Sequence, residues 1–165
     1  MIDKAYLDTC IVSGLAKEDL PTAEQEALGD LLAFHKKKQI DLVTSVVTQE
    51  ELKKIPPSAR RRHEIIYNLL TDVPLTRAKI ANTGLLLMRA AGGTIEDPLY
   101  TELKKILPDE NDALHVFQAM KSGCIYFVTT DRKTILKHRT KVFLKFSEFM
   151  TMSPVDMVTL ISAPL

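Results

Sequence analysis

Two hydrophobic periodicities alternate along the chain. Short apolar runs at residues 5–7, 40–44 and 125–128 have the length and composition of buried strands, and the last is the most apolar. Residues 148–152 repeat the pattern more weakly as a final strand. Between these runs the apolar positions have helical spacing. Ile11, Val12, Leu15 and Ala16 predict a short helical turn, and Ala27, Leu28, Leu31, Leu32 and Phe34 a longer helix. Ala113, Val116, Phe117 and Met120 mark another helix, containing Asp112.

Capping and breaking residues bound these segments. Thr22, with Gln25 three residues on, predicts a capping box, and Lys36, Lys37 and Lys38 close that helix in favour of its dipole. Ser45 or Thr48 is expected to cap a helix running through Glu51 and Leu52 to Ile55, which Pro56 and Pro57 break. Residues 58–70 and 76–91 read as two further helices, the second stopped by Gly92 and Gly93. Asp97 and Pro98 open a helix through Leu103 to Leu107. Pro108 and Asp109 introduce the helix of Asp112, which ends at Ser122 and Gly123. Asp131 is expected to start a helix through Ile135 and Leu136. Ser153 as N-cap and Pro154 as first helical residue open a C-terminal helix.

Strands alternating with helices predict an α/β fold, an α/β/α sandwich on a small, mainly parallel sheet of four or five strands. The stretch from Pro56 to Leu107 reads as a helical middle insertion beside that sheet. At 165 residues, 45% hydrophobic and 26% charged, residues 1–165 suit one globular domain with its own core. Cys10 and Cys124 form neither a metal-ligand spacing nor a disulfide framework. With no apolar stretch after a basic start and no apolar run near the roughly 18 residues of a membrane span, a cytoplasmic protein without membrane contact is expected. The net charge of +1 neither requires nor excludes nucleic acid, so a nucleic-acid face would rest on local patches.

The candidate chemistry lies in four acids near strand-to-helix transitions: Asp8 in AYLDTC, Glu51 in TSVVTQEEL, Asp112 in DENDALHV and Asp131 in YFVTTDRKTI. In an open parallel sheet such positions gather at the carboxyl edge, where ligands bind. Converging carboxylates repel unless a cation joins them, so the pattern points to a hard divalent ion and phosphodiester chemistry. Three of these acids also have a plainer reading, which Asp8, ending the first strand with no further acid until Glu18, resists. Asp131 suits an N-cap, Asp112 a solvated helix face, and Glu50-Glu51 beside Lys53-Lys54 a charged surface. No Gly-rich phosphate loop, HExxH or nucleophile elbow competes with the acids.

The segments YLDTCIVSGL, SVVTQEEL, ENDALHVFQAM, FVTTDRKTIL and SPVDMVTLI, in that order, resemble the PIN-domain family of metal-dependent ribonucleases, especially its VapC-like toxins. Residues 56–107 match only in helical character. The resemblance places the family's four acids on Asp8, Glu51, Asp112 and Asp131, with Glu50 one residue out of register. It implies an endoribonuclease using Mg²⁺ or Mn²⁺ and leaving 5′-phosphate and 3′-hydroxyl ends. It also implies an RNA substrate, an antitoxin protein as partner, and a homodimer. Many relatives carry Asn where this chain has Cys10, and Thr130 resembles the small hydroxyl residue beside the last acid.

Asp8 and Asp112 are the expected direct ligands. Glu51 and Asp131 would reach the ion through water or orient the attacking water. Thr9 and Thr130 are candidates for holding a carboxylate or a water, and also for packing or capping. Of the basic clusters, the one from Arg132 and Lys133 through Lys137, Arg139, Lys141 and Lys145 starts beside Asp131 and is the best candidate phosphate track. His35, His63, His115 and His138 are scattered and read as structural or surface residues. Two other classes compete: a non-catalytic PIN-fold module that binds RNA or protein, and a phosphotransfer enzyme with an Asp nucleophile. The second lacks the Asp that haloacid-dehalogenase-like phosphatases carry two residues after the nucleophile, since Cys10 stands there.

Overall fold

The structure, a computed structural model, describes residues 2–17, 19–44 and 97–163. The helices expected across residues 51–91, most of the proposed middle insertion, and Glu51 lie outside the described residues. Strand β1 (Lys4–Leu7) leads into helices α1 (Thr9–Lys17) and α2 (Thr22–Lys36), then strand β2 (Asp41–Val43). Helices α3 (Pro98–Ile106) and α4 (Glu110–Lys121) precede strand β3 (Tyr126–Val128). A 3₁₀ turn (Leu136–His138), helix α5 (Arg139–Lys145), strand β4 (Met150–Met152) and helix α6 (Pro154–Ser162) follow.

The four strands form one sheet in the order β2-β1-β3-β4, and every pairing is parallel. Tyr6 stands beside Val43 on one side and Phe127 on the other. Because side chains alternate across a strand, this register sends those three residues to one face. There they join Tyr100 and Leu103 of α3, Leu114 and Phe117 of α4, and Val142 of α5 in one buried core. Ala5, Leu7, Leu42, Val128 and Met152 go to the other face and meet Ile11 of α1, Leu28 and Leu31 of α2, and Met157 of α6. Each strand is therefore buried on both sides, which explains why the strand segments read as continuous apolar runs.

Several helix starts match the sequence expectation, and the structure makes Asp97 and Asp109 their N-caps. Asp97 accepts the Leu99 N–H at 2.9 Å, and Asp109 accepts those of Asn111 and Asp112. Ser153 and Asp156 close a reciprocal capping box around Pro154. Gly123 ends α4 with φ +73°, which suits a residue without Cβ. Three expectations change. Pro21, not Thr22, is the N-cap of α2, and Gln25 reaches back to the Leu20 carbonyl at 2.7 Å instead of forming a capping box. The expected short turn after Asp8 is a nine-residue helix. Asp131 does not start an α-helix: its carboxylate binds the N–H groups of Lys133 and Thr134, holding a turn that leads into the 3₁₀ segment before α5.

Among the described core residues, Gln118 and Thr151 carry buried side-chain polar atoms without partners, and Gln118 is the larger exception. Gln118 of α4 is 1% exposed, and neither amide atom has a hydrogen-bond partner among the described residues. Burying an amide without partners costs free energy that a thioether of similar length does not. Gln118→Met is expected to raise stability by about 1 kcal/mol, read as a higher urea midpoint at unchanged slope. A lower midpoint would mean that the amide makes bonds the variant loses.

Candidate functional site

The sheet order creates a switch point. From β1 the chain passes to β2 on one side, and β3 lies on the other, so the carboxyl ends of β1 and β3 flank a crevice of the kind where α/β proteins bind ligands. Asp8 directly follows β1, and its N–H donates to the Val128 carbonyl at 3.0 Å, which fixes it against the end of β3. The segment Thr129-Thr130-Asp131 directly follows β3. Asp112 lies in the first turn of α4, which covers the sheet face of Tyr6 and Phe127.

Asp8 is only 5% exposed. Its Oδ2 accepts the Thr129 hydroxyl at 2.7 Å and the Cys10 thiol at 3.0 Å. Thr129, fully buried, also accepts the Asp131 N–H on the same oxygen at 3.0 Å. One hydroxyl thus ties the first acid to the backbone of the last. Cys10 Sγ lies 3.1 Å from Thr129 Oγ1 and 3.3 Å from Thr130 Oγ1, and accepts the Thr130 N–H at 3.3 Å. Burial, then the charge of Asp8, pushes this thiol up to about 12. It therefore acts as a neutral S–H donor at physiological pH, not as a nucleophilic thiolate.

Asp131 and Asp112 are held in opposite protonation tendencies. For Asp131, burial acts upward, but hydrogen bonds from the Thr134 hydroxyl and from the Thr134 and Lys133 N–H groups outweigh it, leaving the pKa below the ordinary carboxylate value. The hydroxyl contact to Oδ2 is 2.5 Å. For Asp112, burial leads, the charges of Asp109, Asp131 and Asp8 add to it, and the carboxyl rises to about 6. Thr134 also lies near enough to Asp112 to oppose this rise, but its single hydroxyl proton is committed to Asp131. Asp112 Oδ2 is buried with no hydrogen-bond partner among the described residues.

The donor set is all oxygen and includes one orphaned buried carboxylate atom, which suits a hard divalent cation such as Mg²⁺ or Mn²⁺. Among the described residues, no three His, Cys, Asp or Glu side chains stand close enough together to share one ion. Asp8, Asp112 and Asp131 surround one sheet edge and influence one another electrostatically; the fourth expected acid, Glu51, is outside the described residues.

The expected substrate residues divide. Thr9 is the half-buried first residue of α1. Thr130, Arg132 and Lys133 line a cleft of about 520 Å³ with Cys10 and Asp131. Lys133 is exposed, whereas Arg132 Nη2 donates to the buried Glu24 carboxylate at 2.9 Å. Among the histidines, His115 is buried and pairs its Nδ1 with the Tyr6 hydroxyl at 2.9 Å, a structural role. Sequence reasoning singled out Thr130 of the T-T-D step, but Thr129 is the hydroxyl that holds Asp8. Both hydroxyls lie within 3.3 Å of Cys10 Sγ, and only the pairing of β1 with β3 sets Thr129 on the Asp8 carboxylate. Glu24 and Thr134 left no signal, since each is recognised only through its partner.

No protein-family model matches this chain, and no curated protein matches it.

Proposed function

We propose that the chain is a PIN-like, metal-dependent endoribonuclease that hydrolyses RNA phosphodiester bonds, acting in the cytoplasm as the toxin of a toxin–antitoxin pair. The observation that carries this reading is the set Asp8, Asp112 and Asp131 around the β1/β3 crevice, with Asp112 pushed to about 6 and its own Oδ2 without a partner among the described residues. Such a group is a carboxylate short of a positive partner. The order of motifs along the chain adds the PIN-like resemblance. No helix among the described residues is long and apolar enough to cross a membrane.

Asp8 and Asp112 would hold the cation directly, and Glu51 and Asp131 through water. A bound Mg²⁺ or Mn²⁺ supplies a lowered water pKa and offsets charge on the phosphoryl oxygens. The chain's own residues do the rest. Thr129 and Cys10 fix Oδ2 of Asp8, and no hydrogen bond from a described residue reaches its Oδ1. Asp131, held ionised by its turn, orients the attacking water for in-line displacement. Lys133 meets the phosphate backbone beside it. An antitoxin and a second copy of the chain are the expected protein partners.

The direct test is incubation of 5′-labelled RNA with the protein in Mg²⁺ or Mn²⁺ and in EDTA. Cleavage only with metal, leaving 5′-phosphate ends, supports the reading. RNA binding without cleavage would select a non-catalytic PIN-fold module, which the replacement of Asn by Cys10 and the spacing of the described acids favour. The register of the second acid has its own test. On the helix the sequence predicts there, neighbouring residues would project about 100° apart, so Glu50 and Glu51 would not both face one ion. Glu51→Gln is expected to reduce cleavage about tenfold or more, and Glu50→Gln far less. A larger loss at Glu50 would shift the register by one.

A further inference from the structure

The cleft beside Asp131 is not isolated. A second cleft of about 630 Å³ lies against the 3₁₀ segment and the start of α6, and the two share Pro21, Glu24 and Arg132. At that junction sits an unusual pair. Glu24 is 3% exposed, on the first turn of α2. Its Oε1 accepts Arg132 Nη2 at 2.9 Å, and its Oε2 accepts the Val155 N–H of α6 at 3.3 Å. Arg132, by contrast, keeps 71% of its side chain exposed.

We propose that Glu24 is a positioning residue that holds Arg132 at the junction of the two clefts, so that single-stranded RNA runs from the acid-lined cleft past Arg132 into the cleft at α6. The inference rests on the endoribonuclease reading and adds a path for the substrate on one side of the scissile phosphate. A buried carboxylate is costly unless paired, so Glu24 keeps the guanidinium in place before any ligand arrives. A guanidinium offers five N–H donors, and only one corner is used by Glu24. The remaining donors stand open to a phosphate, with their orientation already fixed, which lowers the entropy lost on binding.

The charges on either side agree. Lys17 and Lys133 in the first cleft and Lys137 in the second have no ion-pair partner among the described residues. The acids are largely committed: Glu24 to Arg132, Asp156 to Arg139 at 3.2 Å and to the capping box of α6, and Asp131 to its own turn. Among the described residues of the first cleft, Asp19 and the ionised Asp131 have no basic partner, and Lys17, Lys133 and the exposed face of Arg132 outnumber them. A mononucleotide would engage one cleft; using both requires a ligand with successive phosphates. Asp131 lines the first cleft, which a single strand enters without unpairing.

The experiment is anisotropy of a fluorescein-labelled single-stranded RNA of about 12 nucleotides, with EDTA present so that binding is read without cleavage. Lys137→Ala is expected to weaken binding about threefold to tenfold and to make the log-affinity against log-salt slope shallower by about 0.7. An RNA of about four nucleotides should be insensitive to Lys137→Ala, because it fills one cleft. Glu24→Gln should weaken binding of the longer RNA, and Arg132→Ala should add little on top of it, since Glu24 acts through Arg132. Unchanged affinity and slope in Lys137→Ala would overturn the second cleft, and additive losses in the double variant would overturn the positioning role. Binding that depends on Lys133 alone would keep the nuclease reading and overturn this path; no binding by the unaltered protein would also overturn this path, while cleavage with and without metal decides the nuclease reading separately. If Glu24→Gln does not fold, as judged by its thermal melt, Lys137→Ala and Arg132→Ala decide the matter.

Discussion

Asp8→Asn is expected to reduce metal-dependent RNA cleavage by about 10²- to 10³-fold while leaving the fold intact. The carboxylate is nearly buried, so its surroundings decide what the substitution does. Both hydrogen bonds it receives, from Thr129 and Cys10, fall on one oxygen. Asn keeps one carbonyl oxygen in that position and can accept both. What it loses is the charge, and the free oxygen becomes an amide that cannot bind a cation. Circular dichroism and Tm should therefore be close to those of the unaltered protein, while cleavage and Mn²⁺ binding by calorimetry fall together. Thr129→Val is the complementary variant. It keeps the carboxylate but removes the donor to Asp8 and the acceptor for the Asp131 N–H, and should cost about 1 to 3 kcal/mol of stability. An Asp8→Asn protein with full cleavage and a lowered Tm would make Asp8 a structural acid and end the nuclease reading at its first residue.

What could be read from the sequence divides by the range of the interactions involved. Asp97, Asp109 and Ser153 bond to backbone groups two or three residues away, so the helix starts they cap were visible in the local sequence. The strands were visible because parallel pairing buries both faces, and two-sided burial leaves continuous apolar runs. The placement of Asp8 and Asp131 at neighbouring strand ends followed from the α/β alternation. The link between them did not. Thr129 meets Asp8 across 121 residues, Cys10 meets Thr130 across 120, and Arg132 meets Glu24 across 108. Any of several hydroxyls could have served, and only the register of β1 against β3 selects Thr129. The departure at Asp131 has a local cause, in bonds that span two and three residues. Its N–H is bound by Thr129 and its carboxylate closes a turn, so the chain leaves β3 in a local loop and not directly in a helix. Glu24 looked like an ordinary first-turn acid of an amphipathic helix. Its burial follows from the packing of α2 against α6, which local periodicity does not reveal.

Asp112→Asn is expected to have two opposite effects: loss of cleavage by about 10²- to 10³-fold, and a more stable metal-free protein at neutral pH. The second follows from the pKa. The folded carboxyl sits at about 6, above its ordinary value of 3.8. The folded state therefore binds the proton more tightly than the unfolded chain. Its favourable contribution is fully present below about pH 3.8 and is lost as pH rises through about 6. At pH 7 the unaltered protein carries an ionised Asp112 facing the charges of Asp109, Asp131 and Asp8, with one buried oxygen unpaired among the described residues. The shift would correspond to about 3 kcal/mol, and solvent screening at this half-buried site reduces it to about 1 kcal/mol, or about 2 to 4 °C in Tm. Asn cannot ionise, so the difference in Tm between the variant and the unaltered protein should grow from pH 4 to pH 7. Asp131, Asp97 and Glu102 shift downward and act below about pH 4.5, and His138 is common to both proteins, so none produces that difference. Added Mn²⁺ should reverse the order, raising the Tm of the unaltered protein above that of the variant, because the ion rewards only the form that can ionise. A Tm difference independent of pH would show that Asp112 is not held at a raised pKa. A metal response unchanged by the substitution would remove it from the proposed centre even if the pH dependence held.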